Sequence, residues 1–177
     1  MTVHQSAFVH ESAYVDEPSS VGANTKIWHF SHVLANTHIG ESCVLGQNVV
    51  VGPDVRVGNN CKIQNNVSLY KGVDLADGVF CGPSCVFTNV LTPRAEVERK
   101  DEFAKTPCGH SIGAYAMVAA GAVVTRNVAD HALVAGIPAR RIGWVSRSGD
   151  RLNDNLICPR TNEVYELNPD GGLSLKE

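Results

Sequence analysis

The chain has little charge of either sign and few of the residues that build helical cores. Charged residues make up 19% of 177 positions, and the formal net charge is −3. A nucleic-acid-wrapping or membrane-surface protein carries a basic excess, so neither class fits. No apolar run approaches the ~18 residues of a spanning helix. Met1–His10 has no basic start and no apolar stretch, so no signal peptide is expected and the expected location is cytoplasmic. Six cysteines are too sparse for a disulfide scaffold, and none forms Cys-x-x-Cys. Cys158–Pro159 resembles half of a zinc ribbon whose partner cysteines are missing, so no metal is expected. Leucine is scarce: 11 Leu stand against 24 Val, beside 16 Gly and 13 Asn. Val favours strands, Gly and Asn favour turns, and long helices are not expected.

What is present is a register. Every sixth residue from Val9 to Phe87 is apolar: Val9, Val15, Val21, Ile27, Val33, Ile39 and so on, over fourteen positions. Two residues before each stands a small or β-branched one, from Ala7 and Ala13 to Val79 and Cys85. Gly follows the apolar column at 22, 40, 46, 52, 58 and 82. Inward residues at i and i−2 define a short strand, because strand side chains alternate. A turn must close each six-residue unit, and three units make one triangular coil of 18 residues. Each strand then pairs in parallel with the one 18 residues later, which predicts a parallel β-helix. Val9, Ile27, Leu45, Ile63 and Cys81 should stack, as should Val15, Val33, Val51, Leu69 and Phe87. Asn48 should lie against Asn66, Lys71 against Asn89, and Cys43 against Cys61 as reduced thiols.

The register stops after Phe87. Residues 90–107 carry charge and two prolines, and the repeat resumes with Ile112, Val118 and Val124. Long loops in compact domains usually carry function, so this excursion reads as a lid or inter-subunit arm. Residues 1–143 therefore form the helical domain and 144–177 a small cap. In the cap, WVSRSGDRL and LICPRTNEVYEL read as strands around turns at Ser148–Gly149 and Thr161–Asn162. A cap of this kind covers the open edge of the last coil.

The hexad resembles the left-handed β-helix of the hexapeptide acyltransferases, and the left hand is taken from that resemblance. The combination of WHFSHV, KIQNNVS, FCGPSCVFTN and AGIPARRIGWVS is narrower. Over about residues 4–145 it resembles the UDP-2-acetamido-3-amino-2,3-dideoxy-D-glucuronate N-acetyltransferases. The resemblance implies acetyl-CoA as co-substrate, a UDP-linked amino sugar acid as acceptor, and a role in bacterial surface polysaccharide. It also implies a homotrimer with sites between subunits, which closes one helix face against the next. It places the CoA groove along AAGAVVTRN and AGIPAR, with Ala120, Thr125, Arg126, Ile137, Pro138 and Arg140 as candidates. Small residues there leave room for an extended pantetheine arm, and arginines meet phosphate. It makes Asn89, in the FTN stretch, the catalytic candidate, since an amide can accept a hydrogen bond from the attacking amine. His32 is a second candidate, as a base. Lys71, Tyr70, Arg94 and His29 are candidates for the sugar nucleotide, with Lys71 or Arg94 facing the carboxylate. His110 is a weaker candidate. Ser31 belongs to the inward column, so His29 and His32 should point outward.

Three other readings stand beside this one. A sibling enzyme would take a 4-amino sugar or a dTDP-linked 3-amino sugar. A γ-type carbonic anhydrase shares the fold but needs three zinc-binding histidines, and no His-x4-His pair occurs. A purely structural β-helix, such as an ice-binding one, calls for a flat outward Thr column, which is missing.

Overall fold

The computed structural model describes residues 2–88 and 110–176. Eighteen two-residue strands, β1 (Thr2–Val3) to β18 (Val123–Val124), wind into a left-handed parallel β-helix with three faces. The first face stacks the strands that begin at Thr2, Ser20, His38, Arg56, Asp74 and Ser111. The second stacks those at Phe8, Lys26, Val44, Lys62, Phe80 and Met117, and the third those at Tyr14, His32, Val50, Ser68, Val86 and Val123. Among the described residues there is no helix.

The pairings carry the period of 18. Ile27 meets Leu45, Ile63 meets Cys81, and Val33 meets Val51. Across residues 89–109 the step is longer: Asp74 pairs with Ser111 and Phe87 with Val124, 37 residues apart. The repeat therefore resumes in the same stack after 19 extra residues. The second residue of every two-residue strand from Ser20–Val21 onward is buried, and the apolar column fills the triangular interior. The axis is packed with Phe87, Leu69, Ile63, Leu45 and Ile27, each at 0% exposure.

The small inward column has a second task. The Thr25 hydroxyl donates to the Gly40 carbonyl at 2.8 Å and accepts from the Cys43 N–H at 3.0 Å. Ser31 does the same with Gly46 and Val49. The Cys43 and Cys61 thiols donate to the carbonyls of Gly58 and Ala76, both at 3.1 Å. These side chains satisfy peptide groups that the turns would otherwise leave unpaired inside the core. Both cysteines are free thiols, and Cys61 is pushed up in pKa by its hydrogen bond with Cys43 and by burial.

The second residue of most corners sits in the left-handed region. Asn24, Asn36, Asn48, Asn60 and Asn66 occupy it with φ between 56° and 62°. Asn tolerates that conformation better than other L-residues, which accounts for Asn at these five corners. The Asn48 amide donates to Asn66 Oδ1 at 3.1 Å, closing the expected ladder. Gly82 is needed for a different reason: a Cβ there would lie 2.5 Å from the Ala120 nitrogen and 2.7 Å from the Val118 oxygen.

The tail closes the last coil. Strand β19 (Ala132–Ala135) pairs in parallel with Met117–Val118, and β20 (Arg140–Trp144) runs antiparallel to β19. The 143/144 boundary thus falls inside β20. The remaining residues form β21 (Tyr165–Leu167) paired with β22 (Leu173–Leu175), over a small core of Leu152, Cys158, Tyr165 and Leu173. His131, only 3% exposed, joins cap to helix. Its Nδ1 lies 2.9 Å from the Val145 carbonyl, and its ring stacks on Tyr115 at 5.0 Å and meets Tyr165 edge-on. Burial lowers the His131 pKa, opposed by that carbonyl.

Two predictions follow from the packing. Gly82→Ala should cost about 1–3 kcal/mol, because the colliding atoms are backbone and cannot rotate away; a urea midpoint no lower than that of the native chain would show the coil spacing to be adjustable. His131 is held neutral when folded, so its stabilisation is present above the unfolded histidine value of about 6.5 and is lost as pH falls below it. The melting midpoint should therefore drop below about pH 6.5, and His131→Asn should flatten that drop; an unchanged pH profile in the variant would remove His131 from the account.

Candidate functional site

The three faces differ in what they present. The first exposes Thr2, Ser20, His38, Arg56, Asp74 and Ser111, all polar. The second mixes Phe8, Lys26, Val44 and Lys62, and its upper part lies beside the cap. The third carries Tyr14, His32, Val50, Ser68, Val86 and Val123. Tyr14 is 68% exposed and Val86 45%. Trp28, Phe30, Tyr70 and Ile137, at or near the two corners that bound this face, are exposed as well. Phe30 also sits at φ 57°, a left-handed conformation that is costly for a bulky residue. Exposed apolar residues grouped this way mark a surface that something covers.

Every candidate residue within the described segments lies on this third face or next to it. At the C-terminal end, Thr125, Arg126, Asn127, Ala139, Arg140 and Arg141 line a cavity of about 370 Å³. Three of the six expected CoA residues, Thr125, Arg126 and Arg140, are there. Ala120 lies at the neighbouring corner, before Gly121, around whose Cα the space is open. Ile137 and Pro138 lie on the loop joining β19 to β20, and Ile137 is 78% exposed. That loop is bonded to the third face: the Gly136 carbonyl accepts the Val123 N–H, and the Ala139 N–H donates to the Val123 carbonyl at 2.7 Å. Among the described residues Arg140 donates to the neighbouring Ala139 carbonyl at 3.0 Å, and Arg141 lies 4.2 Å over the Trp144 ring. Arg126 has no carboxylate partner among the described residues.

Lower on the same edge, Tyr70 and Lys71 lie at the end of the strand that begins at Ser68. Lys71 Nζ is 2.7 Å from Asp54 Oδ2, and that bond lowers the Asp54 pKa. Thr88 closes the next strand, its hydroxyl donating to the Val124 carbonyl at 3.2 Å. His110 returns the chain to the same corner; its carbonyl accepts the Asp74 N–H. Burial lowers the His110 pKa, partly offset by a hydrogen bond to the Thr88 backbone. Asn89, Arg94 and the excursion 90–107 lie outside the described residues.

The histidines fall elsewhere on the face. His32 Nε2 lies 2.9 Å from Asp16 Oδ2, both side chains part-exposed. From His32 to Val86 is three coil steps, about 14 Å at strand spacing. Within one chain, His32 and the corner after Thr88 are therefore too far apart to serve the same bond. His29 stacks on His10 at 3.5 Å between ring centroids and lies parallel to Trp28 at 6.1 Å. Sequence reasoning missed Asp16 and Asp54; Arg141, a phosphate-binding candidate beside Arg126 and Arg140, lines the same cavity. Asp54 was recoverable, since one coil above it stands Gly72, the neighbour of Lys71.

Residues 18–53 match the family model described as bacterial transferase hexapeptide (six repeats). Residues 36–71 match the one described as hexapeptide repeat of succinyl-transferase. Both matches fall within the periodic part of the chain, residues 18–71. The chain is 43% identical, over 60 residues, to a dTDP-3-amino-3,6-dideoxy-alpha-D-galactopyranose 3-N-acetyltransferase of Aneurinibacillus thermoaerophilus. That match covers 33% of this chain and 31% of the relative, so the chain spans about a third of that curated protein. Among solved structures it is similar to a mutant of AntD, an N-acyltransferase from Bacillus cereus in complex with dTDP and Coenzyme A. The TM-score is 0.67 at 18% identity, covering 83% of this chain and 85% of that one. AntD with dTDP and 3-hydroxybutyryl-CoA gives 0.65 at 15% identity, covering 81% and 82%. At such identities the likeness is one of fold.

Proposed function

We propose that this protein is an acetyl-CoA-dependent N-acetyltransferase acting on a nucleotide-linked amino sugar, and that its acceptor is the 3-amino group of a UDP-linked 2-acetamido-3-amino uronic acid. The observation that carries the reading is the third face: an arginine-lined cavity at its C-terminal end, and Tyr70, Lys71, Thr88 and His110 along the same edge below it. Acetyl-CoA lies with its phosphates toward Arg126 and Arg140 and its pantetheine arm past Ala120, Thr125, Ile137 and Pro138. The sugar nucleotide takes the N-terminal part of the face, with Lys71 and Arg94 toward its carboxylate and His29 toward the nucleotide. The substrates meet at the corner where Asn89 follows Thr88.

The chemistry asks little of the protein. A neutral amine attacks the thioester carbonyl, the tetrahedral adduct loses a proton from nitrogen, and thiolate leaves and is protonated. Alignment supplies most of the rate, and Asn89 accepts a hydrogen bond from the amine so that its lone pair faces the carbonyl. His32, three coils away, then belongs to substrate binding rather than to the proton transfer, with Asp16 fixing its ring. The exposed apolar residues of the third face are covered by a neighbouring subunit in a homotrimer. A second reading, a dTDP-linked 3-amino sugar as acceptor, is favoured by the acetyltransferase relative that matches 60 residues of this chain.

Thiol release from acetyl-CoA decides between them, run against UDP- and dTDP-linked 3-amino and 4-amino sugars with and without the C6 carboxylate. Fast release is expected only with the UDP-linked 3-amino uronic acid; release with the dTDP sugar alone would keep the reaction and replace the acceptor. Arg126→Ala should raise KM for acetyl-CoA about tenfold, the equivalent of one charge-assisted hydrogen bond. Asn89→Ala should lower kcat with KM for acetyl-CoA unchanged. No thiol release with any acceptor would end the proposal.

A further inference from the structure

A second cavity, of about 360 Å³, lies between the second face of the helix and the cap. Three coils of the helix supply one wall. Lys62 pairs with Phe80 and Phe80 with Met117, so their outward side chains stand about 4.8 Å apart on successive levels. The cap supplies the other wall through Val145 and the tight turn Ser146–Gly149, closed by the Gly149 N–H on the Ser146 carbonyl at 3.0 Å. Tyr115 completes the lining. Its ring lies against Gly78, where a Cβ would come within 2.5 Å of ring carbon Cδ1, so glycine is what lets the ring take this place.

The lining joins apolar walls to two cations. Phe80, Tyr115, Met117 and Val145 form the walls, while Lys62 and Arg147 line the same cavity and are exposed. The Arg147 guanidinium lies 5.0 Å over the Tyr115 ring, and the Arg147 peptide N–H donates to the Tyr165 hydroxyl at 3.0 Å, so the residue is held at both ends. Neither cation has a carboxylate within ion-pair distance among the described residues. The acidic groups of the surrounding turns are engaged elsewhere. Asp150 takes Nε and a terminal nitrogen of Arg160, at 2.7 and 3.0 Å, and the Ser148 hydroxyl at 2.9 Å. Glu163 takes the Tyr165 and Thr161 hydroxyls. Asp77 accepts the Asn59 N–H at 2.7 Å, and Asp130 accepts the Ala114 N–H at 2.8 Å.

We propose that this cavity binds a phosphate monoester built on a single ring, the ring against Phe80, Tyr115 and Met117 and the phosphate between Lys62 and Arg147. Its volume is at the small end of ligand sites, which suits one ring rather than a coenzyme. A phosphate monoester carries about two negative charges at pH 7, matching the two cations, where a carboxylate carries one. The Arg147 fork can take two phosphate oxygens at once, and Lys62 adds a point charge. The site is separate from the arginine-lined cavity and does not rest on the acetyltransferase reading. The test titrates phenyl phosphate into the full chain by calorimetry, beside benzoate and inorganic phosphate. Met117 is one of two methionines, so its methyl resonance reports the arrival of the ring. Phenyl phosphate should bind once per chain, shift the Met117 methyl, and bind about tenfold tighter than either comparison anion. Lys62→Gln and Arg147→Gln should each weaken it about tenfold, the equivalent of one charge-assisted hydrogen bond. Lys62 is exposed and makes no ion pair among the described residues, so Lys62→Gln keeps the fold. Arg126→Ala, in the other cavity, should leave affinity and methyl shift unchanged. No binding of phenyl phosphate overturns the proposal, as does binding that is lost in Arg126→Ala but kept in Lys62→Gln and Arg147→Gln. Benzoate bound as tightly as phenyl phosphate likewise overturns it.

Discussion

The structure depends on one bond repeated along its length, the hydrogen bond from each strand to the next coil. The Phe8 N–H meets the Thr25 carbonyl, His10 meets Ile27, Lys26 meets Cys43, and Lys62 meets Val79, all between 2.8 and 2.9 Å. Strands two residues long have no stability of their own; they persist because each is held from below and above. The bond fixes the coil-to-coil distance and makes every inward position part of a column. A column member can then be neither much larger nor polar without a partner. That single constraint accounts for the aliphatic column, for the hydroxyls and thiols that pair with corner carbonyls, and for glycines such as Gly82 that lie against backbone one coil away.

A stack of this kind is also a ruler. Side chains at equivalent positions of successive coils stand about 4.8 Å apart along an edge, with little freedom to approach or separate. Tyr70 and Lys71, Thr88, then Thr125 and Arg126 mark three successive levels of one edge. A long ligand lying along it meets different chemistry at fixed intervals. Where other folds gather side chains on loops, this chain sets them out by counting residues. The exception to the count lies at the same edge: between Thr88 and His110 the pairing step is 37 residues rather than 18.

The periodic part was legible in the sequence because each residue's environment is set by its index modulo 18. Ile27 against Leu45 and Asn48 against Asn66 needed no structure. The polarity of the faces was legible too, since the strand residue before each apolar one must point outward. Pairings off the period were not. Lys71 with Asp54 and His32 with Asp16 are 17 and 16 residues apart, close to a coil but decided by side-chain reach rather than by register. The cap was least legible. Its hairpin of Tyr165–Leu167 with Leu173–Leu175 has no repeat behind it, and the contact of Cys158 with the Ser148 hydroxyl at 3.5 Å follows no spacing rule.

Strain and burial together locate where the molecule departs from its own rule. Most corner positions in the left-handed region are filled by Asn or Gly, or by Asp or Ser. Phe30 and Tyr115 are not of that kind, and each pays a local conformational cost of about 1–2 kcal/mol. Tyr115 recovers it within the chain: its ring lies against Gly78, stacks on His131 and takes the Arg147 guanidinium at 5.0 Å. Phe30 has no comparable return, since it stays 62% exposed at the edge of the third face beside Trp28 and His29. Among the described residues its holds are a backbone N–H bond to the Ser12 hydroxyl at 3.1 Å and the tilted contact with the His29 ring. The strain falls on the same face that carries the arginine-lined cavity and the Tyr70–His110 edge.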